Sequence, residues 1–216
     1  MINIIRDGGA HGFGHISRAV AIGWALKARG LKVKVKALSS KAKEVIPNHP
    51  KDEGEPVLTI IDIPGEEEIS KRIISEKSKG RKVVTIEYYG QENHDLMIEI
   101  FGSKKARHSS TIKSGLKYAI VREELRKQKL KKRISDNSVL IMIGGSDLLN
   151  QSEAIANKIK AIGDNPIVIE GPLKSSTKIS DYLTLKTPSN LSELMHKCKW
   201  GITNGGVTLL EMLYLG

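Results

Sequence analysis

With 216 residues, 39% of them hydrophobic and 27% charged, the chain has ample apolar material for packed cores and does not have the composition of a disordered polymer. Its single cysteine, Cys198, excludes an internal disulfide framework, and no apolar run approaches the ~20 residues needed to cross a bilayer. The net charge of +11 invites a nucleic-acid partner until its distribution is read: residues 137–216 balance at seven basic and seven acidic side chains, so the whole excess lies in residues 1–136.

The chain opens on a β-branched run, Ile2 to Ile5, without the basic head and cleavage site of a signal peptide, and a cytoplasmic protein is expected. Further runs of strand type follow at Val33 to Leu38, Val57 to Ile61, Val83 to Ile86, Val139 to Ile143, Ile167 to Ile169 and Gly201 to Thr203. Between them apolar residues recur at helical spacing, as in Ile16, Ala19, Val20, Gly23 and Leu26. This βαβ rhythm predicts an α/β protein with mostly parallel sheets covered on both faces.

The rhythm breaks across Arg122 to Asn137. Most of the charge excess comes from Arg126, Lys127, Lys129, Lys131, Lys132 and Arg133, a stretch with no acid and no aromatic to stack on a base. It reads as a solvated basic linker, residues 122–136. Contact with an anionic membrane surface or another polyanion is the alternative, and nucleic acid comes last. The expected domains are therefore 1–136 and 137–216, the second short for a full lobe. Ligands in such sheets bind beyond the carboxyl ends of the strands, so two facing lobes imply a cleft.

Three glycine-rich turns can carry chemistry. The first runs from Arg6 through Asp7, Gly12, Phe13, Gly14, His15 and Ser17 to Arg18, joining the first strand to a helix whose start offers free N–H groups to an anion. The third glycine of a dinucleotide fingerprint is missing. His15, in the first helical turn, suits a general base, although helix capping explains an imidazole there equally well. His11 and His15 lack the companion ligands of a metal site, so none is expected. The second turn, Ile143 to Asp147, places Gly144, Gly145 and Ser146 between a strand and a helix, where they either reach a phosphate or sugar oxygen or simply make a tight turn. In the third, Asn204, Gly205, Gly206, Val207 and Thr208 can present amides and a hydroxyl to a diphosphate. Glu211, one turn along, either accepts both hydroxyls of a ribose or lies on the surface of an amphipathic helix.

Together and in this order, these turns resemble the GT-B nucleotide-sugar proteins, in particular the family of the UDP-sugar hydrolase of pseudaminic acid biosynthesis and related spore-coat polysaccharide glycosyltransferase-like proteins. The resemblance rests on Gly12-Phe13-Gly14-His15 with Ser17-Arg18, on Tyr118-Ala119 with Arg122 and Glu124, on Gly144-Gly145-Ser146-Asp147 and on Asn204 to Glu211. Glu87 stands where the family often has an aspartate after the fourth strand, and the family continues beyond the position of Gly216. The resemblance implies two Rossmann-like lobes with an interlobe cleft. It implies His15 as the base that activates water at the anomeric carbon, with Asp7, Gly14, Arg18, Tyr118, Gly144, Gly145 and Ser146 on the substrate side. Asn204 to Thr208 and Glu211 would hold UDP. No cofactor and no metal is implied. A glycosyltransferase using a hydroxyl acceptor is the same-fold alternative. A non-catalytic nucleotide-sugar-binding protein, a homo-oligomer or one subunit of a split enzyme is the alternative of another class.

Overall fold

A computed structural model describes residues 1–8, 14–44, 48–102, 111–144, 147, 149–171 and 181–216. The chain is α/β throughout and divides into two compact units, Met1–Ile120 and Val121–Gly216.

The first unit holds strands β1 (Ile2–Arg6), β2 (Val33–Ala37), β3 (Leu58–Asp62), β4 (Lys82–Ile86), β5 (Leu96–Glu99) and β6 (Ile112–Ser114). They form one sheet in the order β2-β1-β3-β4-β5-β6, every pairing parallel. Helices α1 (Gly14–Lys27), α2 (Ser40–Glu44) and α3 (Glu66–Lys77) lie in the crossovers. Burial follows the pattern expected for a covered parallel sheet: Ile4, Ile61 and Val83 are fully buried. Ile69 and Ile73 of α3, one turn apart, complete one core cluster with Ile5, Ile61, Ile63, Val83 and Tyr88. On α1, Gly23 lets the helix approach β2, because a Cβ there would lie 2.7 Å from Val35 Cγ2.

The second unit holds α4 (Glu123–Lys129), β7 (Ser138–Met142), α5 (Gln151–Ala161), β8 (Asn165–Glu170), β9 (Leu183–Lys186), α6 (Leu191–Lys197), β10 (Trp200–Thr203) and α7 (Val207–Leu215). Its sheet, order β10-β7-β8-β9, is also parallel. Alternate residues of β7 enter opposite cores. Val139 and Ile141 join Ala156 and Ile159 of α5, whereas Leu140 joins Leu125, Met195 and Leu215 from α4, α6 and α7.

The boundary expected at residue 136 is corrected to 120. Residues 122–136 are not a free linker: α4 packs on α6 and α7, with Val121, Leu125 and Gln128 buried at helical spacing. The basic side chains hide an amphipathic pattern, since one turn needs few apolar residues to dock. Strands β5, β6 and β9 were not expected either; each has three or four residues and interrupted apolar character. Among the described residues, no helix is long and apolar enough to cross a membrane.

Candidate functional site

In the first sheet the chain leaves β1 for β2 on one side, and β3 lies on the other side of β1. The carboxyl ends of β1 and β3 therefore flank the switch point at which open α/β sheets bind ligands. From β1 come Asp7 and then the start of α1, and from β3 comes Asp62.

His15 meets Asp62 there, with Nδ1 2.7 Å from Asp62 Oδ1. Arg18 Nη2, which only donates, is also 3.2 Å from Nδ1, but Asp62 is nearer and accepts only, so we assign the Nδ1 proton toward Asp62 and the lone pair to Nε2. The ring is 29% exposed while Asp62 is wholly buried, so the pair has one wet end and one dry end. Arg18, one turn along α1, closes the dry end: its Nε donates to Asp62 Oδ2 at 2.7 Å and its Nη2 to Oδ1 at 2.6 Å. Burial alone would raise the Asp62 carboxyl, but the Arg18 charge and hydrogen bonds, with those of His15, outweigh it and hold the group below its ordinary range. Burial likewise disfavours the Arg18 cation, and the charges of Asp62 and Glu87 more than restore it.

Glu87 approaches from the end of β4, with Oε2 3.4 Å from Arg18 Nη1. Its backbone is left-handed, φ 53°, a conformation that costs a non-glycine residue about 1 kcal/mol or more. Beside it, burial and then the charges of Glu87 and Glu99 push the Tyr89 phenol up to about 12. Asp7 bridges the ends of β1 and β2, accepting from Gly8 N at 2.8 Å and Ser39 Oγ at 2.6 Å.

Of the first-unit residues expected at a site, Asp7, Gly14, His15 and Arg18 lie along this edge. Tyr118 does not join them. It follows edge strand β6, four places from β1, roughly 19 Å away at ~4.8 Å per strand spacing, and is accompanied by Lys117, whose Nζ is 5.1 Å from its ring centre. His11 lies outside the described residues, as do Gly145 and Ser146. Asp62 was missed in the sequence. The signal was available: an acid directly after an apolar strand is at the carboxyl edge by construction.

In the second sheet, β10 returns to the far side of β7, so the turns after these two strands are neighbours. Gly144, at φ +69°, is so close to Asn204 that a Cβ would lie 2.9 Å from its Nδ2. The two helices beyond these turns differ. The Asp147 carboxylate accepts from Gln151 N at 2.9 Å, from Ser152 N at 3.1 Å and from the Ser152 hydroxyl, so the start of α5 is satisfied internally. Helix α7 begins after Gly206 with no side-chain cap and no acid in its first turn, and Asn204 and Gly205 are exposed ahead of it.

Glu211 departs from the placement on a helix surface. It is buried on α7, 2% exposed, and Arg122 takes both of its oxygens, Nε to Oε1 at 2.6 Å and Nη2 to Oε2 at 2.8 Å. The surface placement is thereby corrected, and both oxygens expected to meet a ribose already accept from Arg122. Burial opposes the Arg122 charge, and the Glu211 hydrogen bonds and charge more than offset this, raising its pKa. Two residues 89 positions apart, both within segments that carry the resemblance, are thus a single ion pair.

A scan against family models finds no match to this chain, and a search of curated proteins finds none either.

Proposed function

We propose that this chain is a nucleotide-sugar enzyme that hydrolyses a UDP-linked deoxyamino sugar in surface-glycan or nonulosonic acid synthesis, with His15 as its general base. The observation that carries the proposal is the 2.7 Å contact between His15 Nδ1 and the buried Asp62, at the switch point of a parallel sheet. In the reaction, a water oxygen bonds to the anomeric carbon and passes its proton to His15 Nε2. The bond from that carbon to the phosphate oxygen breaks, and UDP leaves with the electron pair. Asp62 fixes the ring's tautomer and balances the imidazolium that forms, while Arg18 keeps Asp62 ionised.

The nucleotide assignment rests on the resemblance and on the uncapped start of α7, where Asn204, Gly205, Gly206, Val207 and Thr208 offer amides and a hydroxyl to a diphosphate. The GT-B arrangement, one Rossmann-like unit for the nucleotide and one for the sugar, belongs to the same proposal. Glu211 acts from behind the turn, holding α7 through Arg122.

The test is UDP release from a panel of UDP-sugars without acceptor, by wild type and His15→Asn. Loss of a general base should lower turnover ~10²- to 10⁴-fold. UDP should still raise the melting temperature of the variant, because a ligand that prefers the folded state stabilises it by mass action. Undiminished hydrolysis by the variant removes His15 from the chemistry. Turnover that requires an added sugar or lipid hydroxyl makes the protein a transferase.

A further inference from the structure

The basic stretch that the nucleotide-sugar reading leaves unused is divided by the structure into two sets. Lys129 and Arg133 are consumed internally. Lys129 donates to the Tyr214 carbonyl with its Nζ 4.7 Å from the Tyr214 ring centre, and Arg133 donates to Cys198 O at 2.8 Å and to a Gly216 oxygen. Both sit where the dipole of α7 is negative. Arg126, Lys127, Lys131 and Lys132 are exposed, and among the described residues none of them is in an ion pair. Lys131 is near enough to Glu193 to help lower its pKa, after the hydrogen bond and charge of Lys197, and Glu123 and Glu124 share α4 with Arg126 and Lys127 without an ion pair to them.

Two large aliphatic side chains stand among these cations. Leu130 is 88% exposed and Ile134 is 71% exposed. Four residues apart, they lie within ~14 Å of each other whatever the local backbone. Solvent alone does not favour such a pairing of bare aliphatics with unpaired lysines.

We infer that this segment, Arg126 to Ile134, is a docking surface for an anionic phospholipid bilayer. Headgroup charge complements Arg126, Lys127, Lys131 and Lys132, and the acyl boundary takes Leu130 and Ile134, the combination that holds interfacial segments on membranes. A nucleic-acid partner would meet the cations equally well. It would leave the two aliphatics in water and find no aromatic in the segment to stack on. The inference does not depend on the hydrolase reading, and its test uses no UDP-sugar.

The experiment is co-sedimentation of the full chain with large unilamellar vesicles, either pure phosphatidylcholine or phosphatidylcholine with about 30% phosphatidylglycerol, near physiological salt. Wild type is expected to pellet with the anionic vesicles and to stay in the supernatant with the neutral ones. Leu130→Ser/Ile134→Ser should weaken binding at least tenfold, and glutamine at Arg126, Lys127, Lys131 and Lys132 should weaken it more than a hundredfold. All six side chains are exposed, so the variants should keep the wild-type circular dichroism and melting temperature. Absence of wild-type binding to anionic vesicles overturns the proposal. So does binding that survives Leu130→Ser/Ile134→Ser unchanged, or is abolished by a modest excess of duplex DNA, since either result reduces the surface to a simple polyanion contact.

Discussion

At the carboxyl edge of the first sheet the chain spends charged side chains. Asp62, Arg18, His15 and Glu87 converge from two strands and a helix, and one buried carboxylate serves both a guanidinium and an imidazole. At the corresponding edge of the second sheet it spends backbone. Gly144 packs on Asn204, α7 starts without a cap, and Glu211 of α7 is paired with Arg122. The proposed proton transfer uses the first arrangement, in which the His15 ring is partly exposed and Asp62 is buried. The second can hold an anion because amides are fixed in place without a counter-charge in the helix's first turn. The same parallel-sheet edge thus gathers charged side chains in one unit and backbone amides in the other, depending on which residue types follow the strands, and the proposed function assigns proton transfer to the first and anion binding to the second.

Each unit has one tryptophan, Trp24 in α1 and Trp200 in β10, so Trp→Phe variants let fluorescence follow the units separately and test the contrast. The largest effect is expected for Asp62→Ala, which leaves the buried Arg18 only its 3.4 Å contact with Glu87 as an ion pair and should cost the first unit about 3–5 kcal/mol by urea denaturation read at Trp24. A loss below ~1 kcal/mol would mean that the network contributes little to the fold. Next comes Glu211→Ala, expected to destabilise the second unit by about 1.5–3 kcal/mol through the lost charge-assisted bonds, with the Trp24 transition unmoved. If Glu211→Ala instead left stability intact and weakened UDP, the carboxylate would be facing ligand after all. Gly144→Ala should cost about 1–2 kcal/mol for the left-handed backbone, read at Trp200.

A further contrast between the units is expected from acid. On the first unit, burial would raise Glu76, but hydrogen bonds from Thr59, Arg81 and Lys79 bring it to about 2. Asp95 is likewise brought to about 2 against burial, by Lys77, the Val83 amide and Lys82. A depressed folded-state pKa contributes stability that is complete above the unfolded values, near 4.5 and 3.8, and fades as pH falls toward 2. In the second unit Glu193 is shifted downward, but it is solvent-exposed, as is its partner Lys197. The Trp24 transition should therefore shift to lower urea between about pH 4.5 and pH 2 more than the Trp200 transition. Equal shifts would count against the Glu76 and Asp95 assignments.

Much of this was legible along the chain. The seven strand-type runs all appear as strands within a residue or two of their expected limits, most because a strand buried on both faces must be a continuous apolar run, and edge strand β2 because Val33, Val35 and Ala37 alternate with exposed lysines. His15 and Arg18 were visible through the glycines before them and their three-residue spacing. Asp62 was hidden, because its importance comes from lying beside β1, and that pairing joins segments 56 residues apart. The Arg122–Glu211 bond was hidden for the same reason, and α4 was masked by its own lysines.

The sequence by itself determined the alternation of strands and helices, the parallel sheets and the glycine-rich turns at their ends, since periodicity and backbone freedom are local properties. Tertiary structure alone decided which charged groups share a partner: that Asp62 belongs to His15 and Arg18, that Glu211 belongs to Arg122, and that Lys129 and Arg133 close α7 while their neighbours face solvent. Charge pairing acts over a few ångströms through space, and strand order, rather than spacing along the chain, brings those residues within that range.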